Sequence, residues 1–427
     1  MHHRTYVGRA CEPVFRRRRV SVTGDDAVNE GSSSRGDAHA PSTGSRLAAL
    51  LDCDPRVWRA ALDRRYGVLD EVLAGRRPAV VYPAGRMGRQ AAAGLTAQGA
   101  RVVAFGDSDP AVQGGRIDGL PVLSPTEVAA AHSGDAVLVA STMFDSAICE
   151  DLRALGCEAV VPAGYLNLRL PEIFRAREYE GAWAAATDTA NRTAIEDAQA
   201  LLADEESRRV FAGKLAFYVS LDKERLDEIT SAATIYFDSS VHELGVDEVV
   251  VDGGAYVGDT LRSFLVCCTG RFRSYVAFEP DRASFAKLAD VAATDPARIT
   301  AIRAGLARHM SSARLLSTAG TGSRLLGDDE LGGESVPVVG LDEYFDGRRA
   351  PSLIKMDIEG AEAEALLGAA RLLADAAPTL AVSAYHFPTD LWTIPLLIKR
   401  LMPRSGVYLR HYSREIDDTV CYALPLR

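Results

Sequence analysis

VVVDGGAYVGDTL, Val249 to Leu261, decides how this chain is read. Three valines run into an acid, two glycines, a short loop, a third glycine and a second acid. That order is the profile of a buried strand turning into a helix around a ligand. Two phosphate-binding readings fail on it. A dinucleotide fingerprint needs the G-x-G-x-x-G spacing, which Gly253, Gly254 and Gly258 do not supply. A P-loop needs a lysine directly behind its last glycine. Gly253 to Gly258 has that loop's spacing and Thr260 its hydroxyl, but Asp259 stands in the lysine's place and repels phosphate.

A ligand with positive charge and no phosphate suits the loop better. S-adenosylmethionine carries a sulfonium, an amino-acid head, a ribose diol and an adenine. Carboxylates at Asp252 and Asp259 complement its charge, and the glycines let backbone amides approach it at the start of the next helix. The following strand agrees. YVAFEP ends in Glu279, 21 residues past Gly258, where a doubly wound sheet places the acid that grips a ribose diol.

Composition bounds the rest. The 427 residues are enough for two ordinary domains, and 47% hydrophobic with 25% charged residues is the balance of a globular protein. A formal net charge of −10, from 48 Lys and Arg against 58 Asp and Glu, makes a poor counterion for phosphate backbones, so no nucleic-acid partner is expected. Seven cysteines without C-x-x-C spacing read as small buried hydrophobes in a reducing cytoplasm. No apolar run follows RRRR at Arg16 to Arg19, and no window reaches the ~20 apolar residues of a membrane span. Neither a secretory signal nor a membrane partner is expected.

Working outward, residues 1–45 are rich in Ser, Gly, Asp and Arg and read as a disordered tail. Residues 46–75 carry leucines, alanines and Trp58 at helical spacing, which predicts one or two lead-in helices. Over residues 76–171, short apolar runs alternate with helical patterns, which predicts a small domain of parallel βαβ units. Residues 172–235 read as a helical connector packed on the second domain. Residues 236–427 return to alternating strands and helices and close on two antiparallel-looking strands, VYLRHY and TVCYALP. The expected fold class is α/β, with two Rossmann-like domains joined by a helical connector.

VVVDGGAYVGDT, AFEPD, VVGLDEYF and IKMDIEGAE, in that order, resemble the FkbM-type S-adenosylmethionine-dependent methyltransferases. The resemblance covers residues 236–425 and is most specific at Ile354 to Glu362. It implies a class I methyltransferase fold for the C-terminal domain, and O-methylation of a sugar or secondary metabolite, so the expected partner is a small hydroxyl-bearing acceptor, nucleotide-linked or free. By the same resemblance Asp252, Gly254, Gly258 and Asp259 line the methionine end of the cofactor, and Thr260 caps the helix. Glu279 holds the ribose, and adenine lies near Phe278 and Pro280 with Ala304, Gly305 and Leu306 above it. Ser323, Tyr236 and Phe237 are expected to approach the cofactor.

Chemistry is expected at the carboxyl ends of the strands. His386, ending LAVSAY, is the first choice of general base because imidazole titrates near neutral pH. Asp357, ending LIKMDI, is the second, as base or as a group that orients the acceptor. Lys355 is read as structural, its charge meeting a nearby acid. Glu359 and Glu362 favour the positive end of the following helix whatever the function. Asp357 and Glu359 offer half of a magnesium site, but no third carboxylate is evidently placed, so no metal is expected. His411 is a weaker candidate for the acceptor pocket.

In the first domain, VVYPAGRMGRQ (Val80–Gln90) nearly matches the dinucleotide fingerprint, with Pro83 in place of the first glycine. Gly85 and Gly88 keep the remaining spacing, and Asp107 follows Gly88 by 19 residues. A nucleotide or nucleotide-sugar with Arg86 or Arg89 at its phosphates, and a degenerate loop kept for packing, both fit. The alternatives to a methyltransferase are an NAD-dependent sugar-modifying enzyme working through this domain and a non-catalytic binding protein.

Overall fold

The computed structural model describes residues 43–142, 144–176, 179, 181–317, 323–326 and 332–426. The expected disordered tail therefore lies outside the described residues, apart from Thr43 to Ser45. Three short helices come first, Thr43–Asp52, Pro55–Arg65 and Val68–Leu73. The first sheet then forms from β1 (Ala79–Tyr82), β2 (Val102–Gly106), β3 (Arg116–Ile117), β4 (Leu120–Leu123), β5 (Ala136–Val139) and β6 (Ala159–Val161), in the order β3-β4-β2-β1-β5-β6. All neighbours are parallel except the small β3–β4 hairpin. β1 and β5 are wholly buried, which is why they read as unbroken apolar runs.

The second sheet uses β7 (Val249–Gly253), β8 (Ser274–Phe278) and β9 (Ile299–Ile302). A smaller four-stranded sheet comes next, from β10 (Gly305–Leu306), β11 (Ser311–Leu316), β12 (Arg324–Leu325) and β13 (Glu334–Val339). The main sheet resumes with β14 (Leu353–Met356), β15 (Thr379–Ser383), β16 (Ser405–His411) and β17 (Thr419–Pro425), giving the order β16-β17-β15-β14-β7-β8-β9. β17 is antiparallel to both β15 and β16. β16 therefore runs with the parallel strands, and only the last strand is reversed, inserted between its predecessors. Sequence pattern alone makes the two closing strands look like a reversed pair; the insertion corrects that.

The helices Ala182–Thr187, Arg192–Leu201, Glu205–Ser220 and Glu224–Asp227 join the sheets. They dock on the free edge of β16: Ala203 N donates to Val407 O at 2.8 Å, and Leu409 N to Ser207 Oγ at 2.9 Å. The helix that follows β5, Asp145–Ala154, meets the β16–β17 loop, where Ser146 N and Oγ donate to the Glu415 carboxylate and Arg414 pairs with Glu150 at 2.9 Å. One continuous cluster of buried side chains runs from Leu47 through Phe211 and Trp392 to Ala423, so the connecting helices belong to the core of both sheets. Ser42–Arg427 is a single compact unit. Among the described residues, no helix is long and apolar enough to cross a membrane.

Candidate active site at the carboxyl edge of the second sheet

β7 ends at Gly253, and the chain turns through Gly254 into the helix Asp259–Cys267. Gly254 has φ +73°, and a Cβ there would fall 1.8 Å from the Asp357 carbonyl, so no side chain fits. Gly258 caps the helix at φ +81°. The turn opens into a cavity of about 230 Å³ at the carboxyl ends of β7, β8 and β14. Gly254, Tyr256, Asp259 and Thr260 form one side, and Glu279 and Pro280 the end of β8. Gly305 and Leu306 of β10, Leu315 of β11 and Leu325 of β12 make an apolar wall, with Ser323 beside it. Lys355, Asp357 and Glu359 come from β14 and its turn, Tyr236 from the segment before β7, and Asp418 from the start of β17.

Glu279 is held as a ligand-binding acid would be. Its Oε2 accepts from Tyr256 N and its Oε1 from Asp281 N, both at 2.8 Å, which leaves further lone pairs on each oxygen. Burial raises its pKa to about 7 against the pull of those two amides. Asp281 itself caps the next helix, accepting from Ala283 N and Ser284 N.

Asp357 is gripped by two phenols: Tyr236 OH donates to Oδ2 at 2.9 Å and Tyr385 OH to Oδ1 at 3.0 Å. Burial opposes its ionisation, but Lys355 and His386 nearby hold its pKa below the ordinary value. Asp418 is the contrasting acid. It lines the same cavity, and burial followed by repulsion from Asp357 raises its pKa.

Of the residues expected from sequence, Gly254, Asp259, Thr260, Glu279, Pro280, Gly305 and Asp357 meet on this one cavity. Asp252, Gly258 and His386 do not reach it. The Asp252 carboxylate is fully buried beneath the loop, 3.0 Å from Lys355 Nζ, and accepts from Tyr275 OH at 2.7 Å. Lys355 Nζ also donates to the carbonyls of Gly253 and Gly254, so the pair fixes the floor of the turn. His386 is 2% exposed and sits behind Asp357, its Nδ1 3.0 Å from Glu362 and its Nε2 3.4 Å from Asp357. Burial disfavours its charge, but Glu362, Asp357 and Glu359 together push its pKa up to about 10. The premise for choosing it as base, a near-neutral pKa, does not hold in this setting. Phe278 and Phe237 are core residues, packed on Tyr344 and Phe264. His411 is buried against Thr419.

Sequence reading misses Asp418 and Tyr385 as site residues and gives Glu362 no more than a helix-dipole role. Asp418 lies just ahead of TVCYALP, in a loop with no motif, and its φ of +62° is a detail that a sequence does not carry.

Residues 252–416 match the family described as the Methyltransferase FkbM domain. This region is an FkbM methyltransferase domain. The chain is similar to the crystal structure of methyltransferase FkbM from Methylobacillus flagellatus, at 25% identity over 87% of this chain and 100% of that one, with a TM-score of 0.65. That coverage takes in more than the methyltransferase domain, so part of the N-terminal architecture is common to both. Slighter overlaps exist with Aeropyrum pernix fibrillarin, which was solved with bound S-adenosyl-L-methionine (13% identity, 42% of this chain and 69% of that one, TM-score 0.27), and with an rRNA methylase from Streptococcus thermophilus (14% identity, 46% and 100%, TM-score 0.31). No curated protein matches the chain.

In the first sheet, Asp107 holds the loops around it. Its Oδ2 accepts from Ala84 N and its Oδ1 from Asp109 N, both at 2.9 Å. Asp107, the acid that follows Gly88 by 19 residues, thus ties the β1 turn to the end of β2.

Proposed function

We propose that this chain transfers a methyl group from S-adenosylmethionine to a hydroxyl of a small acceptor, a sugar or secondary metabolite, in the cytoplasm. The observation that carries the reading is the charge of the cavity. Asp259, Glu279, Asp357, Glu359 and Asp418 line it, and its one lysine, Lys355, is already paired with Asp252. Such a lining suits a sulfonium and an ammonium and repels a phosphate. The donor set fits the cofactor's other parts as well. Glu279 presents an amide-anchored carboxylate to a ribose diol, and Leu306, Leu315 and Leu325 offer an apolar wall to a purine.

Once bound, S-adenosylmethionine supplies an electrophilic methyl carbon on its sulfonium. The protein's share is positioning and proton handling. Asp357, locked by Tyr236 and Tyr385, orients the acceptor hydroxyl. Asp418, with its raised pKa, is the better-matched proton acceptor. Tyr236 closes the cavity from the segment ahead of β7.

We divide the chain into lead-in helices over 46–75, a small Rossmann-like domain over 76–171, a helical connector over 172–235 and the methyltransferase domain over 236–427. We read the small domain as a brace rather than a nucleotide site, because Pro83 stands in place of the fingerprint's first glycine and because the core is shared.

Calorimetric titration with S-adenosylhomocysteine tests the reading, with E279A, NAD and a nucleotide-sugar in parallel. Micromolar binding that E279A abolishes supports it. Binding of NAD alone would overturn it and return the chemistry to the first domain.

A further inference from the structure

The turn after β14 brings together more charge than methyl transfer alone requires. Glu359 has φ +59° and Gly360 φ +95°, and this double left-handed step folds the chain back so that Glu362 returns beneath Asp357. A glutamate in the left-handed region costs free energy, and such residues persist where the surroundings hold them for a purpose. Ile358 N donates to Glu362 Oε1 at 2.8 Å and fixes that carboxylate. At the end of β15, His386 enters the same space. Asp357, Glu362 and His386 each offer a donor atom, all within 4.8 Å of one another, and Glu359 Oε2 stands 3.9 Å from His386 Nε2.

Two observations separate this cluster from an ordinary acidic patch. His386 is 2% exposed, and neither ring nitrogen makes a hydrogen bond of acceptable geometry, although carboxylate oxygens lie 3.0 and 3.4 Å away. Buried imidazole nitrogens are normally satisfied. Second, three carboxylates surround one imidazole, and the nearest lysine is neutralised by Asp252. A protonated ring matches the charge of one of these carboxylates, whereas a divalent ion would match Asp357 and Glu362 together.

We propose that Asp357, Glu362 and His386 bind a divalent first-row transition-metal ion beside the cavity. One imidazole with carboxylates is a borderline donor set, better matched to Mn²⁺, Fe²⁺, Co²⁺ or Zn²⁺ than to Mg²⁺. Donors bonded at about 2.1 Å stand roughly 3 to 4 Å apart, and these three donor atoms, within 4.8 Å of one another, need only a small inward movement to close on one ion. The phenols of Tyr236 and Tyr385 on Asp357, and the Ile358 amide on Glu362, are the outer contacts that orient such ligands. Through Asp357 the ion reaches the cavity wall. If the O-methyltransferase reading holds, a divalent ion held there would fix the orientation and charge of Asp357 toward the acceptor hydroxyl, while Asp418 takes the proton.

The test uses the full chain, stripped with a chelator and titrated with Co²⁺ alone, read by visible d–d absorption and calorimetry. One Co²⁺ per chain with micromolar Kd is expected, weakened at least about 10-fold in H386A and in E362Q, with Mg²⁺ at the same concentration failing to compete. Circular dichroism of both variants, with D357N as a third, guards against loss of fold. Absence of saturable d–d bands overturns the proposal, as does equal competition by Mg²⁺. Titration with S-adenosylhomocysteine of the metal-free chain is the separate arm. Cofactor binding without Co²⁺ binding sinks the metal site alone, and Co²⁺ binding without cofactor binding sinks the methyltransferase reading alone.

Discussion

Lys355 and Asp252 sit directly opposite each other on neighbouring parallel strands, β14 and β7, with Nζ 3.0 Å from Oδ1 and neither side chain more than 2% exposed. The pair lies under the glycine turn, and Lys355 carries that turn's two carbonyls. A buried charge is tolerated here because it is matched. K355M leaves Asp252 with Tyr275 as its remaining partner and is expected to cost about 3–5 kcal/mol. The double variant D252N/K355M should recover most of that. Urea unfolding of the two checks it; equal losses would mean that the pair is not the source of the stability.

Glu279 gives a prediction about pH. Its pKa rises from 4.5 to about 7 on folding. Between these values the folded chain holds the proton more tightly than the unfolded one, so stability falls as pH rises from 4.5 through 7. The full penalty, on the order of 3 kcal/mol, is present above about pH 7. E279Q loses an acceptor for one of the two amides at every pH but removes the titration, so its stability relative to wild type should improve by about 3 kcal/mol between about pH 4 and about pH 8, while affinity for S-adenosylhomocysteine falls. Thermal unfolding across pH decides it; an unchanged pH profile would remove the argument.

Gly254 tests the turn. G254A must place a Cβ where the Asp357 carbonyl stands, and at positive φ. The turn has to move, with about 1–2 kcal/mol of backbone strain as the smaller part of the cost. Cofactor-product affinity is expected to fall at least ~10-fold, the equivalent of about 1.4 kcal/mol. Calorimetry reads the affinity, and circular dichroism reports whether the fold survives.

Asp357 and Asp418 should separate in kinetics. D418N, which removes a proton acceptor, is expected to lower kcat by ~10²–10⁴-fold with KM little changed. D357N disturbs acceptor placement and should raise KM as well. Y236F, which removes one of the two phenols on Asp357, should fall between wild type and D357N. If D357N and D418N both turn over normally, the proposed roles are wrong even if the fold is right.

Asp107 distinguishes a brace from a nucleotide site. D107A breaks the bonds to Ala84 N and Asp109 N and is expected to destabilise the chain by about 1–3 kcal/mol. Titration with NAD or a nucleotide-sugar should show nothing in either protein. Nucleotide binding by wild type that D107A abolishes would reverse this reading.

Much of the fold was legible because its signals are local. Val249 to Val251 and Leu380 to Val382 are short apolar runs buried on both faces, and such runs announce parallel strands. The four-stranded sheet was not legible, since β10 and β12 have two residues each and β13 carries Pro337 and exposed Glu334 and Ser335. The site divides in the same way. Gly254 and Glu279 follow from a turn's backbone demands and from the spacing of one βα unit, both written in adjacent residues. Which acids face the cavity depended on pairings between distant segments. Asp252 is turned inward because β14 sets Lys355 opposite it, about a hundred residues on. His386 is buried because the Asp357 turn folds Glu362 back onto it. Asp418 arrives because β17 inserts between β15 and β16. By itself the sequence determined the parallel strands of the two larger sheets, the glycine turn and the place of Glu279 at the end of β8, because steric and periodic rules act over a few residues. Only the tertiary structure decided which charges were buried as pairs and which were left to do chemistry, because burial and Coulomb interaction depend on what packs across the fold.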